Sequence, residues 1–261
     1  DAGITGANFI IADSGAISLT ENEGNARLST SIPKIHIAVA GIERVIPSIH
    51  DLALFLPLLS TAGTGQTITT YNTLFFGPKR NEEMDGPEKM YVVLLDNGRT
   101  NLLAAPDQKE ALACIRCGAC LNACPVYKNI GGHTYNTVYN GPIGAVITPF
   151  MKGFDEFAHL SYATSLCGSC SSVCPVKIPL DDLLLKNKHH HTEKYKTSKF
   201  ERFVWKNVSL FLTKRNLMNF GSAAMKNALA KIALKNSWNK RKSAIKMAKK
   251  SFNQQWKEKY K

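Results

Sequence analysis

The sequence predicts an α/β segment followed by a helical, cysteine-rich domain and a basic helical tail. Short β-branched or apolar runs bounded by Gly, Asn and Asp predict the α/β segment. All seven cysteines lie between positions 114 and 174, which marks the second part. Residues 186–261 carry 21 Lys and Arg against 3 Asp and Glu, whereas residues 1–185 carry 12 against 17. We therefore expect domains at 1–100, 101–187 and 188–261.

In the α/β segment the pattern predicts four strands and one helix. The helix is expected over Ser48–Leu59, with Ser48 as its cap and apolar residues along one face. Gly3-Ile-Thr-Gly6 lacks the third glycine of a nucleotide-binding loop, and we interpret it as a helix entry. The small residues of Thr61–Thr67 favour a surface turn over an anion-binding loop. The strands are predicted at Asn8–Asp13, Ala16–Thr20, Lys34–Val39 and Tyr91–Asp96.

The cysteines form two runs with iron-sulfur spacing. The first, Cys114-Ile-Arg-Cys117-Gly-Ala-Cys120-Leu-Asn-Ala-Cys124-Pro125, is the complete bacterial ferredoxin pattern. The second is Cys167-Gly-Ser-Cys170-Ser-Ser-Val-Cys174-Pro175. In such pairs the first three cysteines of a run bind one cluster and the fourth binds the other. Cluster one is thus assigned Cys114, Cys117, Cys120 and Cys174, and cluster two Cys124, Cys167 and Cys170.

Cluster two is one cysteine short, because Thr164 stands where its fourth ligand is expected. Three outcomes remain open: a 3Fe-4S cluster, a 4Fe-4S cluster with water or hydroxide at the fourth iron, or a ligand from Thr164, Ser165 or His159. We favour two 4Fe-4S clusters, the second with a non-cysteine site. Zinc sites use paired cysteines in groups of four, and disulfides need an oxidising compartment. Seven cysteines in this spacing fit neither.

The segments around the cysteines are predicted to be helices and tight turns. Asp107–Ala113 and Leu180–Leu185 have helical patterns and flank the two runs. The glycines of 131–135 and 141–145 would let backbone amides approach cluster sulfurs. The triplet His189-His190-His191 is interpreted as a solvated linker rather than a metal site.

The tail combines Lys and Arg with spaced apolar residues and predicts basic amphipathic helices. We rank its uses in the order of docking on an acidic partner, lying on an anionic membrane surface and binding nucleic acid. A solvated helical extension is the alternative to all three. The apolar positions include Phe200, Phe203, Trp205, Leu210, Met225, Trp238, Ile245, Met247 and Trp256.

The chain begins at Asp1 rather than Met, inside what reads as continuing α/β structure, and we expect it to be an amino-terminally truncated fragment. No window approaches the roughly 18 consecutive apolar residues of a membrane span. The cysteine content fits a reducing cytoplasm.

The cysteine region resembles the LutB family, the iron-sulfur subunit of the bacterial lactate utilisation system. The resemblance lies in CIRCGACLNACPVYKNIGGHTYNTVYNGPIGAVITPF and YATSLCGSCSSVCPVKIPL, including the missing cysteine at 164. The upstream stretch DAGITGANFIIADSGAISLTENEGNARLSTSIPKIHIAVAGIERVIPS resembles the later half of that family's LUD domain. The similarity covers roughly residues 1–185 and fades in the tail.

The resemblance implies an α/β fold related to sugar-phosphate isomerases and CoA transferases. It also implies a cytoplasmic complex with LutA-like and LutC-like partners that oxidises L-lactate to pyruvate, in which this chain relays electrons and is not catalytic alone. It supplies no catalytic residue, and the sequence has no flavin motif, so the first electron acceptor is expected outside this segment. The alternatives are a relay for another 2-hydroxy acid such as glycolate and a redox-sensing module. The basic tail is compatible with peripheral contact at the inner membrane face.

Overall fold

The computed structural model describes residues 1–194, 199–214, 216, 220–233 and 243–260, without the side chains of 199–202. Two compact units divide the chain at 1–196 and 197–261. The α/β segment and the cysteine-rich domain thus lie in one unit. The predicted boundaries at 100 and 187 stay a prediction.

The α/β segment contains two small sheets. Strands β1, β4 and β7 run parallel in the order β1-β4-β7, and the other sheet has the order β5-β2-β3-β6. In the second sheet β2 pairs parallel with β5, while β3 pairs antiparallel with β2 and β6. The strands are β1 Ala2–Gly6, β2 Phe9–Ile11, β3 Ile17–Glu21, β4 Ile35–Gly41, β5 Val45–Ile46, β6 Tyr71–Phe75 and β7 Lys89–Leu95.

The four predicted strands are confirmed as β2, β3, β4 and β7, and the α/β class is confirmed with them. The predicted helix cap is also present. Ser48 Oγ accepts a hydrogen bond from the His50 amide at 3.3 Å, and Asp51 Oδ2 accepts one from the Ser48 amide at 3.0 Å. This capping box opens a 3-10 turn, Ile49–Asp51, that leads into α2, Leu52–Thr64.

Two loop interpretations were wrong. Gly3–Gly6 belongs to strand β1 rather than to a helix entry. The glycine is needed because helix α1, Asn25–Ser31, passes so close that a Cβ on Gly3 would overlap the Ser29 carbonyl oxygen. Within the predicted surface turn, residues 61–64 form the last turn of α2, which ends at Gly65 in the left-handed conformation.

The cysteine-rich domain is built of short helices around one buried helix. These are α3 Arg99–Leu103, α4 Ala119–Ala123, α5 Pro125–Ile130, α6 Gly141–Lys152, α7 Phe154–Tyr162, α8 Ser169–Ser172 and α9 Leu180–Lys194. Every residue of α6 from Gly141 to Pro149 is buried. The helix predicted at Leu180–Leu185 is confirmed as the start of α9. The pattern at Asp107–Ala113 instead forms a 3-10 turn, Lys109–Ala113.

A proline inside α6 explains a buried polar network between three helices. Pro149 has no N–H, so the carbonyl of Ala145 loses its intrahelical partner. Ser161 Oγ of α7 donates to that carbonyl at 2.8 Å. Asn187 of α9 is fully buried, and its Nδ2 donates to the Val146 carbonyl at 2.9 Å and to Ser161 Oγ at 3.1 Å. The network joins α6, α7 and α9 without leaving that carbonyl unsatisfied.

The two parts of this unit share an apolar boundary. The core of the second sheet and α2 includes Phe9, Ile11, Ile46 and Leu52. Ile115, which lies between the first two cysteines, is 5 % exposed and packs into that core. The larger helical core contains Cys120, Cys170 and Cys174 with the apolar side chains of α6 and α9. The first cysteine loop therefore lies between two hydrophobic cores.

The histidine triplet does not form a linker, because all three residues belong to α9. The ring of His190 lies 4.8 Å from that of Phe154, and His191 Nδ1 is 3.2 Å from the Tyr162 hydroxyl oxygen. Burial lowers the pKa of His190. His190 and His191 thus pack the carboxyl end of α9 against α7, whereas His189 is exposed and pairs with Glu193 on its own helix.

In the tail unit, helices are confirmed at α10 Lys199–Thr213, α11 Ala223–Ala233 and α12 Phe252–Lys259. Phe203 and Trp205 on α10 are exposed. Residues 243–248, which include Ile245 and Met247, have no regular structure, so the helix prediction was wrong there. Trp238 lies outside the described residues. Within the part that the structure describes, no helix has the length and apolar character to cross a bilayer.

Replacing Asn187 by Ala should destabilise the protein by about 1–3 kcal/mol, because buried carbonyls of α6 lose a donor. Asn129→Ala is the matched control, since Asn129 Nδ2 donates to the Pro125 carbonyl at 2.7 Å on an exposed helix face. That variant should change stability by less than about 0.5 kcal/mol. Thermal unfolding under anaerobic conditions measures both. Equal effects would contradict the role given to the buried network.

Candidate iron-sulfur site

One cavity in the cysteine-rich domain brings cysteines of both runs together. It is lined by Cys114, Cys117 and Cys120 from the first run and by Cys174 from the second. These are the four residues that the ferredoxin rule assigns to cluster one. Most of the remaining wall is apolar and comes from Leu121, Ile143, Val176, Ile178 and Leu180. The cavity is therefore mainly apolar and rich in thiols, which suits a cluster site.

Backbone amides point at several cysteine sulfurs. The Ile178 amide donates to Cys174 Sγ and the Tyr127 amide to Cys124 Sγ, each at 3.4 Å. The amide of Ile143, at the start of α6, hydrogen-bonds Cys120 and partly offsets the rise that burial causes in the pKa of its thiol. This contact agrees with the approach predicted for the glycine-rich segment. Amide bonds to sulfur stabilise negative charge on a cluster and are among the features that set its potential.

Burial opposes the ionisation of free thiols in this cavity. It raises the pKa of Cys120 to about 12 and also raises that of Cys117, with the neighbouring cysteines adding to the effect. Only a thiolate binds iron, so the metal must supply the favourable charge that water supplies elsewhere. The pocket is thus suited to thiolates paired with iron rather than to free thiolates.

One of the three residues assigned to cluster two lies at the surface, and the other two are buried. Cys124 ends α4 and caps α5, where Pro125 takes the first helical position. Cys170 is buried on α8, which packs against α4, and its thiol pKa is raised by burial. Cys167 is exposed, and its pKa is lowered to about 7, mainly by its hydrogen bond with the Ser169 side chain. This region has one open, polar side.

The three candidates for the missing ligand differ in their contacts. Thr164 Oγ1 accepts a hydrogen bond from the Leu166 amide at 3.0 Å. His159 Nδ1 lies 2.7 Å from the Glu156 carbonyl oxygen. Ser165 lies near enough to Cys167 to help lower the pKa of that thiol.

No group of three or more His, Cys, Asp and Glu side chains in the described residues is spaced to hold a single metal ion. A cluster holds its thiolates further apart than a single ion does, because several irons and sulfides stand between them. This finding concerns single metal ions and does not bear on a cluster.

A buried charge network joins the first cysteine loop to the α/β segment. Arg116, between Cys114 and Cys117, donates from Nη2 to Glu43 Oε1 at 3.2 Å. Glu43 Oε2 also lies 2.5 Å from Arg99 Nε. Burial by itself would raise the pKa of Glu43, but its own backbone amide and the two guanidinium groups hold the pKa below its ordinary value. Glu43 is thus an ionised carboxylate between two arginines.

Tyr139 completes this network. Its hydroxyl accepts a hydrogen bond from Arg99 Nη2 at 2.8 Å, and the Arg116 guanidinium lies 4.2 Å from the centre of its ring. Arg116 has a left-handed backbone, with φ of 64°. A non-glycine residue in that conformation is strained by about 1 kcal/mol or more. The contacts of its side chain hold the loop in this shape.

Two observations show that the cavity fits an anionic group. Nε and Nη1 of Arg116 are buried and have no hydrogen-bond partner among the described residues. A buried donor without a partner is costly, and a cluster held by thiolates is negatively charged. The thiol wall and the unsatisfied guanidinium nitrogens both match such a group, which Cys114, Cys117, Cys120 and Cys174 would hold.

Comparison with known proteins places the two parts of this unit in families. A LUD domain matches residues 1–95, and a 4Fe-4S dicluster domain matches residues 110–178. The protein named lactate utilization protein B from Shouchella clausii is 48% identical over 210 residues, covering 80% of this chain and 44% of its own length. This chain is a homologue of lactate utilization protein B.

Other relatives carry the same name. The one from Bacillus subtilis is 46% identical over 223 residues, or 85% of this chain and 46% of its own length. The one from Geobacillus thermodenitrificans is 44% identical over 234 residues, or 89% of this chain and 49% of its own. The chain thus spans about half the length of these lactate utilization B relatives. No solved structure matches it. The predicted LUD and iron-sulfur parts are confirmed.

Sequence reasoning missed Glu43, Arg44, Arg99 and Tyr139, because they come from separate segments and carry no motif. Only Arg116 had a signal, as a basic residue inside the ferredoxin pattern. Arg44 and Glu43 line a second cavity together with Cys114. Burial lowers the pKa of Arg44, and the charge of Arg116 adds to this.

Replacing Glu43 by Gln should lower the free energy of unfolding by about 3–5 kcal/mol, because it leaves Arg99 and Arg116 buried without a counter-charge. Glu88→Gln is the matched control. Glu88 pairs with Lys34 at 3.8 Å on an exposed surface, where the pair contributes less than about 1 kcal/mol. Anaerobic thermal unfolding compares the two. A Glu43→Gln protein as stable as the control would refute the structural role of the network.

Proposed function

We propose that this chain is the iron-sulfur electron-transfer part of a system that oxidises L-lactate to pyruvate. The observation that carries the proposal is the cavity that gathers three cysteines of the first run with Cys174 of the second. Such sharing of ligands between runs is characteristic of two-cluster ferredoxins, which pass electrons. The name of the relatives supports lactate as the substrate of the whole system.

In this proposal Cys114, Cys117, Cys120 and Cys174 hold cluster one. Cys124, Cys167 and Cys170 hold cluster two, whose fourth site has a ligand other than cysteine. Both clusters are of the 4Fe-4S type, and we prefer Ser165 as the candidate for the fourth ligand because its hydroxyl influences the pKa of Cys167. When bound, such clusters accept and donate one electron at a time.

The chain's own residues provide the surroundings of the electron path. The Ile178 and Ile143 amides donate to ligand sulfurs and so stabilise their charge. Apolar side chains such as Leu121 and Leu180 limit the access of water to cluster one. The exposed side at Cys167 gives cluster two a short path to a partner. No residue described here is assigned a role in breaking the C–H bond of lactate.

The proposed partners are LutA-like and LutC-like subunits, one of which would take the two electrons from lactate. A further acceptor would then receive them singly from this chain. The tail, with exposed Phe203 and Trp205 among many cationic residues, is proposed to dock on an acidic partner surface. An anionic membrane surface is the second choice and nucleic acid the last.

Single cysteine variants test the ligand assignment. Anaerobically purified protein should contain about eight irons with matching acid-labile sulfide. Cys120→Ala should lose cluster one and Cys124→Ala cluster two, so each keeps about four irons and a different paramagnetic signal. If both variants lost the same signal, the division between the clusters would be wrong. About seven irons and an oxidised 3Fe-4S signal in the parent protein would instead show that the fourth site of cluster two is empty.

Lactate-dependent reduction tests the function. The chain, mixed anaerobically with LutA-like and LutC-like subunits, should show reduced-cluster signals after lactate is added, and none without those subunits. Glycolate in place of lactate is the substrate control. If glycolate reduced the clusters and lactate did not, the substrate of the system would be another 2-hydroxy acid. Clusters that stay oxidised with every substrate, while air exposure changes partner binding, would favour redox sensing.

A further inference from the structure

We propose that Arg44, Arg99 and Arg116 raise the reduction potential of cluster one above that of cluster two. A single electron on this chain would then reside mainly on cluster one. The inference rests on the proposed clusters and adds a direction to their electron transfer.

Positive charge exceeds negative charge beside the cluster one cavity. Arg116 lines that cavity together with the four cysteines. Arg44 lines the adjoining cavity, whose wall also contains Cys114. Arg99 contacts both Glu43 and Tyr139, which in turn contact Arg116. Three guanidinium groups thus lie beside two carboxylates, those of Glu43 and Asp51, and the Asp51 side chain belongs to the wall of the cavity that Arg44 lines.

These charges lie where solvent screens them weakly. The side chains of Arg99 and Glu43 are 4 % and 3 % exposed, and that of Arg116 is 16 % exposed. Arginine stays protonated in proteins, so burial does not remove its charge. Charges buried in this way interact more strongly and respond less to salt than exposed ones.

The surroundings of cluster two have the opposite character. Asp181, at the start of α9, accepts a hydrogen bond from the Ser171 hydroxyl, next to Cys170. The carboxyl group of an aspartate is ionised at neutral pH. A negative group thus lies close to an assigned ligand of cluster two.

Charge decides the order of the potentials. Reduction adds one negative charge to a cluster that is already negative. Nearby cations stabilise the reduced form more than the oxidised form, and a nearby carboxylate does the reverse. An electron that enters at cluster two, by way of the exposed Cys167, therefore moves to cluster one. In this step cluster two loses the electron that cluster one gains, and no proton or further reactant is required.

The experiment is a redox titration of the full chain under anaerobic conditions, followed by electron paramagnetic resonance. Arg44→Gln is the main variant, because Arg44 is not part of the ion pairs that Glu43 makes with Arg99 and Arg116. The signals are assigned with the Cys120→Ala and Cys124→Ala proteins. Arg44→Gln and Arg116→Gln should each shift the potential of cluster one to more negative values and leave that of cluster two unchanged.

Two charge controls separate electrostatics from damage. Arg44→Lys keeps the charge and should restore most of the potential. Arg80→Gln removes the same charge from an exposed loop and should shift neither cluster. A general loosening of the fold would not shift the potential of cluster one alone, and Arg44→Lys would not reverse its effect.

The proposal is overturned if cluster one has the lower potential in the parent protein, or if Arg44→Gln shifts neither cluster or both equally. If the Arg116→Gln protein does not retain iron, the potentials of the Arg44→Gln protein alone decide whether the proposal stands. The proposed function is tested by other results. It is wrong if the parent protein contains no iron and acid-labile sulfide, or if lactate does not reduce its clusters. A lower potential in Arg44→Gln would still support the electrostatic role if lactate proved to be the wrong substrate.

Discussion

The placement of the first cysteine loop between two hydrophobic cores is the constraint on which the rest of this unit depends. Four consecutive residues of the loop serve different neighbours. Cys114 and Cys117 line the cluster cavity, Ile115 fills the core of the α/β segment, and Arg116 pairs with Glu43. Because these contacts diverge from one short stretch of backbone, the loop cannot move without disturbing the cavity, the core or the ion pair.

This arrangement couples the LUD part to the proposed electron path. Glu43 follows strand β4, so the position of the sheet sets the position of the carboxylate that holds Arg116. Gly41 allows this close approach, since a Cβ there would overlap the Glu43 carboxylate. The α/β segment is therefore part of the electrostatic surroundings of cluster one and not only a neighbouring domain.

The two proposed cluster sites differ in the charged groups that surround them. Cluster one lies in an apolar cavity where burial suppresses free thiolates and where arginines are held nearby. Cluster two lies near an exposed cysteine and an aspartate. Both use backbone amides as donors to sulfur. The common scaffold thus supports two centres with different electrostatic environments.

The sequence by itself determined the features that depend on local spacing. The ferredoxin pattern grouped Cys174 with the first run, the Ser48 cap predicted the start of a helix, and alternating apolar runs predicted four strands. Strand β1 was missed because Gly3 is selected by the packing of α1 above it rather than by the conformation of its own segment. The histidine triplet was misread because its partners, including Phe154 and Tyr162, lie on another helix.

Only the tertiary structure decided the charge network around cluster one. Glu43, Arg99 and Tyr139 are far apart along the chain, and each resembles an ordinary surface residue in the sequence. Their electrostatic effect depends on burial, which brings these side chains together and removes the water that would screen their charges. Spacing along the chain can specify which cysteines share a cluster, but the field at that cluster depends on long-range packing that no local pattern records.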